Sequence, residues 1–416
     1  MPSTFKTVSV VGLGYIGLPT AAIFASQKIK VIGVDVNQHA VDTINRGEVH
    51  IVEPDLEQVV QDSVEDGYLK ASSKPAAADA FLIAVPTPFM ENYEPDLSYI
   101  ESAAKSIAPV LKRGDLVVLE STSPVGATEK MARWMAEIRP DLTFPQDAGD
   151  CSDIRVAHCP ERVLPGHVLR ELVQNDRVIG GMTPSCSERA SSLYNIFVQG
   201  ECIVTDVRTA EMCKLTENSF RDVNIAFANE LSVICDKLDI NVWELIRLAN
   251  RHPRVNILQP GPGVGGHCIA VDPWFIISSV PESTQLIRAA REVNDSKPFH
   301  VFKSIKAAAE QVSSPVIACL GLAFKADIDD LRESPSLKIV EMLAQSAMGK
   351  LLLVEPNIDE APSNLVGLNH VELVSLDEAL ERSNIVLMLV NHREFYGVTE
   401  RQLADKAVID TRGVWQ

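Results

Sequence analysis

Val8-Ser9-Val10-Val11-Gly12-Leu13-Gly14-Tyr15-Ile16-Gly17 is the stretch of sequence that decides the fold. Its first four residues are mostly β-branched and apolar, which predicts a short buried strand. The three glycines that follow predict a tight turn into an apolar helix from about Leu18 to Ser26. A second strand is predicted from Lys30 to Asp35. This succession of strand, turn, helix and strand is typical of a doubly wound α/β sheet.

The glycine spacing in this turn indicates a nucleotide site. Gly12, Gly14 and Gly17 form the pattern G-x-G-x-x-G, and Asp35 ends the next strand, eighteen residues past Gly17. In this setting the glycines admit a pyrophosphate to the helix N-terminus, and the acid binds the ribose 2′-hydroxyl. The acid favours NAD over NADP, because it would repel a 2′-phosphate. The alternative is a tight turn that binds nothing.

Polar residues follow three further predicted strands. These strands are Ala80–Val85, Leu116–Glu120 and Ile154–Cys159. Thr87 lies after the first, Thr122 after the second and Glu161 after the third. Ligands of open α/β sheets bind at the carboxyl edge, so these residues could contact cofactor or substrate. The alternative interpretations are ordinary turn residues for the threonines and a surface carboxylate for Glu161.

The stretch from about Arg208 to Lys237 predicts a helix that is unusually long for a globular protein. Glu211, Lys214 and Asn218 fall on one face of it. Apolar residues fill much of the remaining surface, so we expect this helix to pack on several sides, to join two domains and to contribute to a subunit interface. Lys214 could carry a proton or stabilise an alkoxide. The alternative for Lys214 is a solvated salt-bridge face.

A glycine-rich segment presents one thiol. The sequence from Gly261 to Asp272 reads GPGVGGHCIAVD and places Cys268 just after four glycines. Glycines let a backbone approach a ligand closely, and Asp272 could orient a water beside the thiol. A thiolate adds to an aldehyde to give a thiohemiacetal, which can lose a hydride and leave a thioester for water to hydrolyse. The alternative is a surface turn with an inert cysteine.

A second, smaller doubly wound sheet is predicted near the end of the chain. Its strands are Pro315–Leu320, Lys350–Glu355, Ile385–Val390 and Ala407–Asp410. It contains no G-x-G-x-x-G pattern, so we expect it to bind something other than a dinucleotide. Lys325 and Arg332 follow its first strand, and Arg254 precedes the thiol segment, so each could bind phosphate. His252 and His267 are interpreted as structural or surface residues.

The length, net charge and cysteine content of the chain restrict the classes of function that it can have. A chain of 416 residues should divide into two or three domains, and we expect boundaries near 205 and 312. The net charge of −18 argues against nucleic acid and anionic membranes as partners. Eight cysteines without zinc-like spacing predict reduced thiols and no metal site. Neither a signal peptide nor an apolar membrane span is predicted, so a cytoplasmic location is expected.

These motifs together resemble the UDP-sugar 6-dehydrogenases of the UDP-glucose/GDP-mannose dehydrogenase family, over about residues 6–413. The resemblance rests on the glycine turn, the helix with Glu211, Lys214 and Asn218, and several short motifs. The short motifs are Pro86-Thr87-Pro88, Ser121-Thr122 with Pro124-Val125-Gly126, Pro160-Glu161, Gly265-Gly266-His267-Cys268 with Asp272, and Phe324-Lys325 with Arg332. It implies an NAD domain (1–205), a central helical dimerisation region with the cysteine (206–312) and a UDP-binding domain (313–416). It also implies a homodimer and two successive NAD-dependent oxidations that convert a sugar C6 hydroxyl into a carboxylate.

The resemblance also implies roles for individual residues. Cys268 would be the nucleophile, Lys214 and Asn218 would hold oxyanions, and Glu161, Asp272 and Thr122 would serve the active-site water. The implied cofactor contacts are Gly12, Gly14, Tyr15, Ile16, Gly17, Asp35, Thr87, Thr122 and Arg332. The implied substrate contacts are Glu161, Arg162, Lys214, Asn218, Arg254, Gly265, Gly266, Phe324 and Lys325.

Within the family, the segment from Gly263 to Trp274 is similar to the branch that acts on UDP-N-acetylhexosamines. It differs from the UDP-glucose branch, because Val264 replaces an aromatic residue and Ala270-Val271 replace Pro-Lys. The UDP-glucose branch also carries a second acid near the position of Pro165, so the identity of the acid that activates the water stays open here. The implied substrate is UDP-N-acetyl-D-mannosamine, in surface polysaccharide biosynthesis of the enterobacterial common antigen type.

Three alternatives stay open at this point. UDP-N-acetylglucosamine could be the substrate, since no motif reads the configuration at C2. The chain could be an NAD-dependent dehydrogenase that transfers one hydride and has an inert cysteine, or a nucleotide-sensing protein without turnover. The number of NADH molecules formed per substrate molecule separates these classes.

Overall fold

The structure is a computed structural model that describes residues 5–90, 92–164, 166–266 and 268–415. Its contacts divide the chain into two compact units. The first unit comprises Met1–Glu217 and Trp274–Ser279, and the second comprises Asn218–Pro273 and Val280–Gln416. The boundaries of the three predicted domains stay a prediction.

The first unit is built on a sheet of strands in the order β3-β2-β1-β4-β5-β6-β7-β8. The strands are β1 (Thr7–Val11), β2 (Lys30–Val34), β3 (Leu69–Ser72), β4 (Ala80–Ile83), β5 (Leu116–Leu119), β6 (Arg155–His158), β7 (Arg177–Gly181) and β8 (Cys202–Asp206). Strand β1 pairs with β2 on one side and β4 on the other, so the winding direction reverses beside β1. This reversal opens the crevice in which doubly wound sheets bind ligands.

Helices connect these strands and cover both faces of the sheet. They are α1 (Gly17–Ser26), α2 (Gln38–Asn45), α3 (Leu56–Glu65), α4 (Ser98–Ile107), α5 (Ala127–Ile138), α6 (Pro145–Ala148), α7 (Val168–Gln174) and α8 (Pro184–Tyr194), with short 3-10 turns at Ala108–Val110 and Gly149–Cys151. Successive strand residues face opposite cores: Val10 packs in one and Val11 in the other. The predicted strand, turn and helix at the start of the chain are therefore present.

One edge of this sheet differs from the parallel arrangement that the sequence predicted. Strand β7 pairs with β6 in the antiparallel sense, whereas β7 and β8 are parallel to each other. Strand β7 could not be predicted from the sequence because it ends in two glycines. The packing around them requires glycine at both positions. A Cβ at Gly180 would lie 2.5 Å from the Cβ of Ala210, and one at Gly181 would lie 2.4 Å from the backbone nitrogen of Ser187.

The long helix α9 runs from Val207 to Leu238 and confirms the predicted element. Its residues up to Glu217 belong to the first unit, and those from Asn218 to the second. Within this chain one face of the helix is left uncovered, and the expected subunit interface on it stays a prediction. Phe220, Phe227 and Ile234 recur every seven residues and are 71%, 52% and 44% exposed. Apolar residues at such spacing form a stripe along a helix rather than surround it.

The second unit contains a parallel sheet of strands in the order β11-β10-β9-β12-β13. The strands are β9 (Val316–Leu320), β10 (Lys350–Val354), β11 (Val371–Leu373), β12 (Ile385–Met388) and β13 (Ala407–Asp410). The remaining helices are α10 (Val242–Ala249), α11 (Asp272–Ser279), which spans both units, α12 (Gln285–Ala309), α13 (Pro335–Ser346), α14 (Leu376–Arg382) and α15 (Glu400–Leu403), with 3-10 turns at Pro281–Ser283 and Arg393–Gly397. Winding reverses beside β9, as it does beside β1.

The fold prediction of two doubly wound sheets joined by a long helix is confirmed. The cores lie on the two faces of each sheet; in β9, Cys319 packs in one core and Leu320 in the other. Strand β11 and helix α12 were not predicted, because β11 is three residues long and α12 contains Pro298. Among the described residues, no helix is both long enough and apolar enough to span a membrane.

Candidate active site

The turn between β1 and α1 requires glycine at two positions. Gly12 has a φ of 90°, and a Cβ on it would lie 2.7 Å from the carbonyl oxygen of Ala84. A Cβ on Gly17 would lie 1.7 Å from the carbonyl oxygen of Gly12. Gly14 is exposed and a Cβ there would have no atom within 4 Å, so the surface at this turn is open. An exposed helix N-terminus with open space in front of it can accept a pyrophosphate.

Asp35 stabilises this turn, and its carboxylate can still accept hydrogen bonds from a ligand. One of its carboxylate oxygens accepts a hydrogen bond from the backbone N–H of Leu13 at 2.8 Å, and the other accepts from Asn37 at 2.8 Å. A carboxylate can accept about four hydrogen bonds, so sites are left for ribose hydroxyls. Tyr15 is exposed and Ile16 half-buried beside it. These residues fit the adenosine half of NAD.

Two predicted threonines follow neighbouring strands at the carboxyl edge. Thr87 follows β4 and Thr122 follows β5, and both are half-buried. The hydroxyl of Ser121 donates to the carbonyl oxygen of Val85 at 2.7 Å and ties the two loops together. The Thr87 hydroxyl is buried and has no hydrogen-bond partner among the described residues. A ligand could supply that partner.

Glu161 is not the surface carboxylate that is usual for this residue type. It is 7% exposed, and one of its oxygens accepts from Arg177 at 2.6 Å, while the other accepts from the backbone N–H of Arg162 at 2.8 Å. Arg177 contributes from β7, the strand that the sequence did not reveal. Arg162 also donates to Glu217 at 2.7 Å. Glu161 is therefore held in a fixed orientation by a buried ion pair.

A second acid, Glu120, lies close to this pair. It accepts from the hydroxyl of Tyr194 at 2.6 Å. The pKa of Glu120 is raised to about 7, mainly by burial; the charge of Arg177 opposes this shift and the charge of Glu161 adds to it. Sequence reasoning did not identify Glu120, Arg177 or Tyr194, since only their contacts reveal them.

The predicted face of helix α9 contains residues in different environments. Glu211 is buried and accepts from the backbone N–H groups of Gly126 and Thr128 at 2.6 and 2.8 Å, and from the Thr128 hydroxyl. Burial raises the pKa of Glu211, although these bonds oppose the shift. It therefore holds the start of α5. Lys214, one turn further, is half-buried, and Asn218 is buried.

The thiol segment is shaped by contacts within the second unit. A Cβ at Gly265 would lie 2.5 Å from the carbonyl oxygen of Glu333 and 2.9 Å from the Cβ of Phe324, and one at Gly266 would lie 2.9 Å from the Phe324 ring, so both positions require glycine. Cys268 is exposed. Its carbonyl oxygen accepts from the N–H of Val271 and of Asp272, which begins α11. His267 and Pro165 lie outside the described residues.

The structure brings Asp272 and Asn218 together. The amide nitrogen of Asn218 donates to the carboxylate of Asp272 at 2.5 Å, and both side chains are buried. They are separated by 54 residues in sequence. Asp272 is therefore oriented by the central helix just beyond the thiol.

The predicted phosphate ligands lie in the second unit. Arg254 and Lys325 are exposed, and Phe324 is half-buried. Arg332 forms an ion pair with Asp330 at 2.7 Å, and its contact with cofactor stays a prediction. His252 is exposed, and its ring nitrogen accepts from the N–H of Arg254 at 3.4 Å.

These features together define a class of protein. One doubly wound sheet has a turn and an acid that fit NAD, and the other lacks that turn and has exposed basic residues beside it. A glycine segment presents a thiol between them in the sequence. This combination is that of a nicotinamide-dependent dehydrogenase for a nucleotide-linked substrate.

Comparison with known proteins identifies the family. Three domain models of the UDP-glucose/GDP-mannose dehydrogenase family match: the NAD binding domain at residues 6–198, the central domain at 208–296 and the UDP binding domain at 318–416. The chain belongs to this family. It is an NAD-dependent dehydrogenase of a UDP-sugar, and the predictions of family, enzyme class and cofactor are confirmed.

Relatives cover the chain along almost its whole length. An NDP-N-acetyl-D-galactosaminuronic acid dehydrogenase from Ralstonia nicotianae is 66% identical, over 99% of this chain and 96% of the relative. A UDP-N-acetyl-D-mannosamine dehydrogenase from Escherichia coli K12 is 64% identical, over 99% of this chain and 100% of the relative. A solved structure of a UDP-D-ManNAc dehydrogenase from Pyrococcus horikoshii is 38% identical with a TM-score of 0.87, over 99% of this chain and 96% of that one.

Proposed function

We propose that this protein oxidises UDP-N-acetyl-D-mannosamine at C6 to UDP-N-acetyl-D-mannosaminuronate, in two steps that consume two NAD molecules. The observation that carries the proposal is the exposed Cys268 on its glycine segment, with Asp272 oriented four residues further by Asn218. An oxidation that stops at the aldehyde has no use for a thiol. A thiol serves an oxidation that continues to the acid, because it can carry the acyl group covalently.

The proposed chemistry begins with the C6 hydroxyl. It loses its proton to solvent and a hydride from carbon, which gives the aldehyde. The thiolate of Cys268 then forms a C–S bond to C6, and the resulting thiohemiacetal loses a second hydride and becomes a thioester. Water attacks the thioester, the C–S bond breaks, and the acid and the thiol are released. When bound, NAD supplies the hydride acceptor for each oxidation.

Side chains of helix α9 would stabilise the charged oxygens in these steps. Lys214 is half-buried and carries a positive charge that can face an alkoxide. Asn218 uses one N–H for Asp272 and has a second N–H to donate to an oxyanion. One such donor contributes about 3 kcal/mol to the stability of a transition state.

Carboxylates and a hydroxyl would position the hydrolytic water. Asp272 is held by Asn218, and Glu161 is held by Arg177, so both carboxylates have fixed orientations. Thr122 follows β5 at the carboxyl edge of the NAD sheet. We assign the water to this set of residues and propose Asp272 as its principal acceptor, because it lies closest in sequence to the thiol.

The nucleotide half of the substrate would bind to the second unit. Arg254 and Lys325 would neutralise the diphosphate, and Phe324 with the adjacent Gly265 and Gly266 would line the site. Arg162 would contribute from the loop after β6. On the cofactor side, Gly12 to Gly17 and Asp35 would hold the adenosine half, and Thr87 would donate or accept through its buried hydroxyl.

A second candidate substrate is the galactosamine isomer. The Ralstonia relative named for N-acetyl-D-galactosaminuronic acid is as similar to this chain as the relatives named for N-acetyl-D-mannosamine. The two hexosamines differ in configuration at C2 and C4, and recognition there depends on pocket shape. UDP-N-acetylglucosamine is the third candidate. Synthesis of a surface polysaccharide of the enterobacterial common antigen type is part of the proposal for the mannosamine substrate only.

The proposed assembly is a homodimer formed through α9. The exposed stripe of Phe220, Phe227 and Ile234 supports it, because an apolar row of this length on one helix is costly in water. Sedimentation of the Phe227→Glu variant as a monomer would support this interface, and an unchanged dimer would remove it.

The test is the number of NADH molecules formed per UDP-sugar consumed, measured with the three N-acetylhexosamine substrates in parallel. Two NADH with UDP-N-acetylmannosamine, and slow turnover of the other two sugars, is the expected result. Two NADH with another sugar would keep the mechanism and change the substrate. One NADH with every sugar would contradict the role of Cys268.

A further inference from the structure

A chain of buried amides connects the thiol segment to the two long helices of the second unit. The side-chain oxygen of Asn229 on α9 accepts a hydrogen bond from the backbone N–H of Gly261 at 2.9 Å. The amide nitrogen of Asn229 donates to the side-chain oxygen of Asn294 on α12, also at 2.9 Å. Both asparagines are buried. Gly261 is the first residue of the thiol segment (residues 261–272), which contains Cys268.

Asp222 lies at the end of this row of hydrogen bonds that is farthest from Gly261, and it determines how each amide is oriented. The amide nitrogen of Asn294 donates to the side-chain and backbone oxygens of Asp222, at 2.8 and 3.1 Å. Arg291 donates to the same carboxylate oxygen at 2.6 Å and also pairs with Asp295. An ionised carboxylate can only accept, so Asn294 must turn its nitrogen toward Asp222 and its oxygen toward Asn229. Asn229 must then turn its own oxygen toward Gly261.

The same helix holds the other end of the segment. Asn218 donates to Asp272 at 2.5 Å, eleven residues beyond Gly261 in the sequence. Asn218, Asp222 and Asn229 lie at i, i+4 and i+11, so they share one face of α9. The thiol segment is therefore attached to one helix face at both of its ends. Between these points Gly265 and Gly266 pack against Phe324, and Cys268 is exposed.

We infer that Asn229 is a positioning residue for Cys268, and that it acts through the N–H of Gly261 with its orientation set by Asn294 and Asp222. This inference rests on the proposed function of Cys268 as the nucleophile. The two-point attachment limits the positions that the thiol can take, and it acts together with the close packing of Gly263 and Gly265 against Pro335. A displacement of about 1 Å in a reacting group can lower a rate by about a hundredfold.

Two substitutions at this position test the inference. Asn229→Leu removes both hydrogen bonds, so we expect kcat to fall by about tenfold or more while KM for the UDP-sugar changes by less than about threefold. Asn229→Asp keeps the shape of the side chain. When protonated, the introduced carboxyl accepts from Gly261 and donates to Asn294, as the amide does.

The Asn229→Asp variant should therefore depend on pH in a defined direction. The charged groups around this position are Asp222 on α9, Arg291, Asp295 and Lys297 on α12, and the buried Arg412, whose guanidinium lies beside Gly261. Burial favours the neutral form of the introduced carboxyl, and the cations favour its charged form. Below the pKa of the introduced carboxyl, kcat should approach that of the wild type. As pH rises through that pKa the donor is lost, and the ratio of variant to wild-type kcat should fall.

Asn384→Asp is the matched control. Asn384 also accepts from a backbone N–H, that of Val316 at 2.9 Å, at the start of β9. Its variant should show a ratio of kcat to wild type that does not vary with pH. A ratio that stays constant for Asn229→Asp as well, or an Asn229→Leu variant with wild-type kcat, would overturn the inference. If Asn229→Leu does not fold, the pH dependence of Asn229→Asp decides alone.

Alkylation of the wild type separates this inference from the proposed function. Iodoacetamide should modify Cys268, as mapped on peptides, and abolish formation of the UDP-sugar acid. Full activity of the enzyme alkylated at Cys268 would contradict the proposed function whatever the Asn229 variants do. Loss of activity on alkylation, together with Asn229 variants that behave as the wild type, would contradict only the positioning role.

Discussion

The turns that follow β1 and β9 start from the same design and end in different sites. The winding direction reverses beside β1 in the first sheet and beside β9 in the second. Gly12 and Gly321 follow the two strands with φ values of 90° and 91°. In both, an acid at the end of the next strand accepts from the backbone of the turn: Asp35 from Leu13 at 2.8 Å, and Glu355 from Leu322 at 2.7 Å.

The difference lies in what else each acid does. Asp35 is half-buried and accepts one backbone N–H at each oxygen. Glu355 is 5% exposed, accepts a second N–H from Ala323, and pairs with the buried His392 at 3.1 Å. These bonds are all made within the protein, so the Glu355 carboxylate is not available to bind a ribose. A shared strand order around β1 and β9 therefore does not by itself determine the ligand; the side chains that saturate or expose the acid differ between the two sites.

The connection to the next helix differs as well. Helix α1 begins at Gly17, five residues after Gly12, whereas α13 begins at Pro335, fourteen residues after Gly321. A Gly-rich tight turn brings a helix N-terminus to a pyrophosphate, and a long connection does not. The longer segment of the second unit instead contains Phe324 and Lys325.

The largest expected effect comes from the two glycines that shape the turns. Gly17→Ala places a Cβ 1.7 Å from the oxygen of Gly12, so we expect loss of NAD binding by calorimetry. Gly321→Ala places one 2.4 Å from the Cβ of Val390 and should destabilise the second unit by several kcal/mol without changing the NAD dissociation constant. Gly14→Ala, which meets no atom within 4 Å, is the control for Gly17 and should fold normally. Equal losses of NAD affinity in the Gly17 and Gly321 variants would break the comparison.

An intermediate effect is expected at the two acids. Asp35→Asn removes a charge-assisted acceptor for the ribose, worth about 2 kcal/mol, so KM for NAD should rise by about thirtyfold. It also removes the repulsion of a 2′-phosphate, so the preference for NAD over NADP should shrink. Glu355→Gln should leave KM for NAD unchanged. A rise in KM for NAD in the Glu355 variant would show that the second acid is not confined to the interior.

The smallest effect is a pH dependence of stability. Burial opposes ionisation of Glu355, but bonds from His392 and from the backbone N–H groups outweigh it, and its pKa is lowered. A lowered pKa stabilises the fold above the pKa of the unfolded chain, about 4.3 for glutamate, and this stabilisation is lost as pH falls through the lower folded value. The melting temperature of the wild type should therefore drop on acidification more than that of Glu355→Gln. Parallel curves for the two proteins would contradict this account.

Local sequence was sufficient for the elements that local physics determines. The strand, turn and helix from Val8 to Ser26 and the long helix α9 were predicted from glycine spacing and apolar pattern, because both act over a few residues. The partners of the site residues could not be predicted. Arg177 reaches Glu161 through an antiparallel pair of strands, and Asn218 reaches Asp272 across 54 residues. Such contacts depend on how elements pack, which no short window of sequence contains.

The exposed stripe on α9 shows another limit of prediction from the sequence. Its apolar residues predicted a buried helix, but an apolar pattern does not state which molecule covers it. Phe220 and Phe227 are exposed in this chain, and the proposal of a second copy is a separate step.

The most direct test of the account compares Cys268→Ser with Cys151→Ser. Both cysteines are exposed, but only Cys268 lies on the glycine segment. Each variant is supplied with UDP-N-acetylmannosamine and NAD, and the UDP-sugar acid and NADH are measured together. The account predicts two NADH and full conversion to acid for Cys151→Ser, and almost no acid for Cys268→Ser with NAD binding unchanged. Acid formation by Cys268→Ser at the wild-type rate would contradict the thioester mechanism.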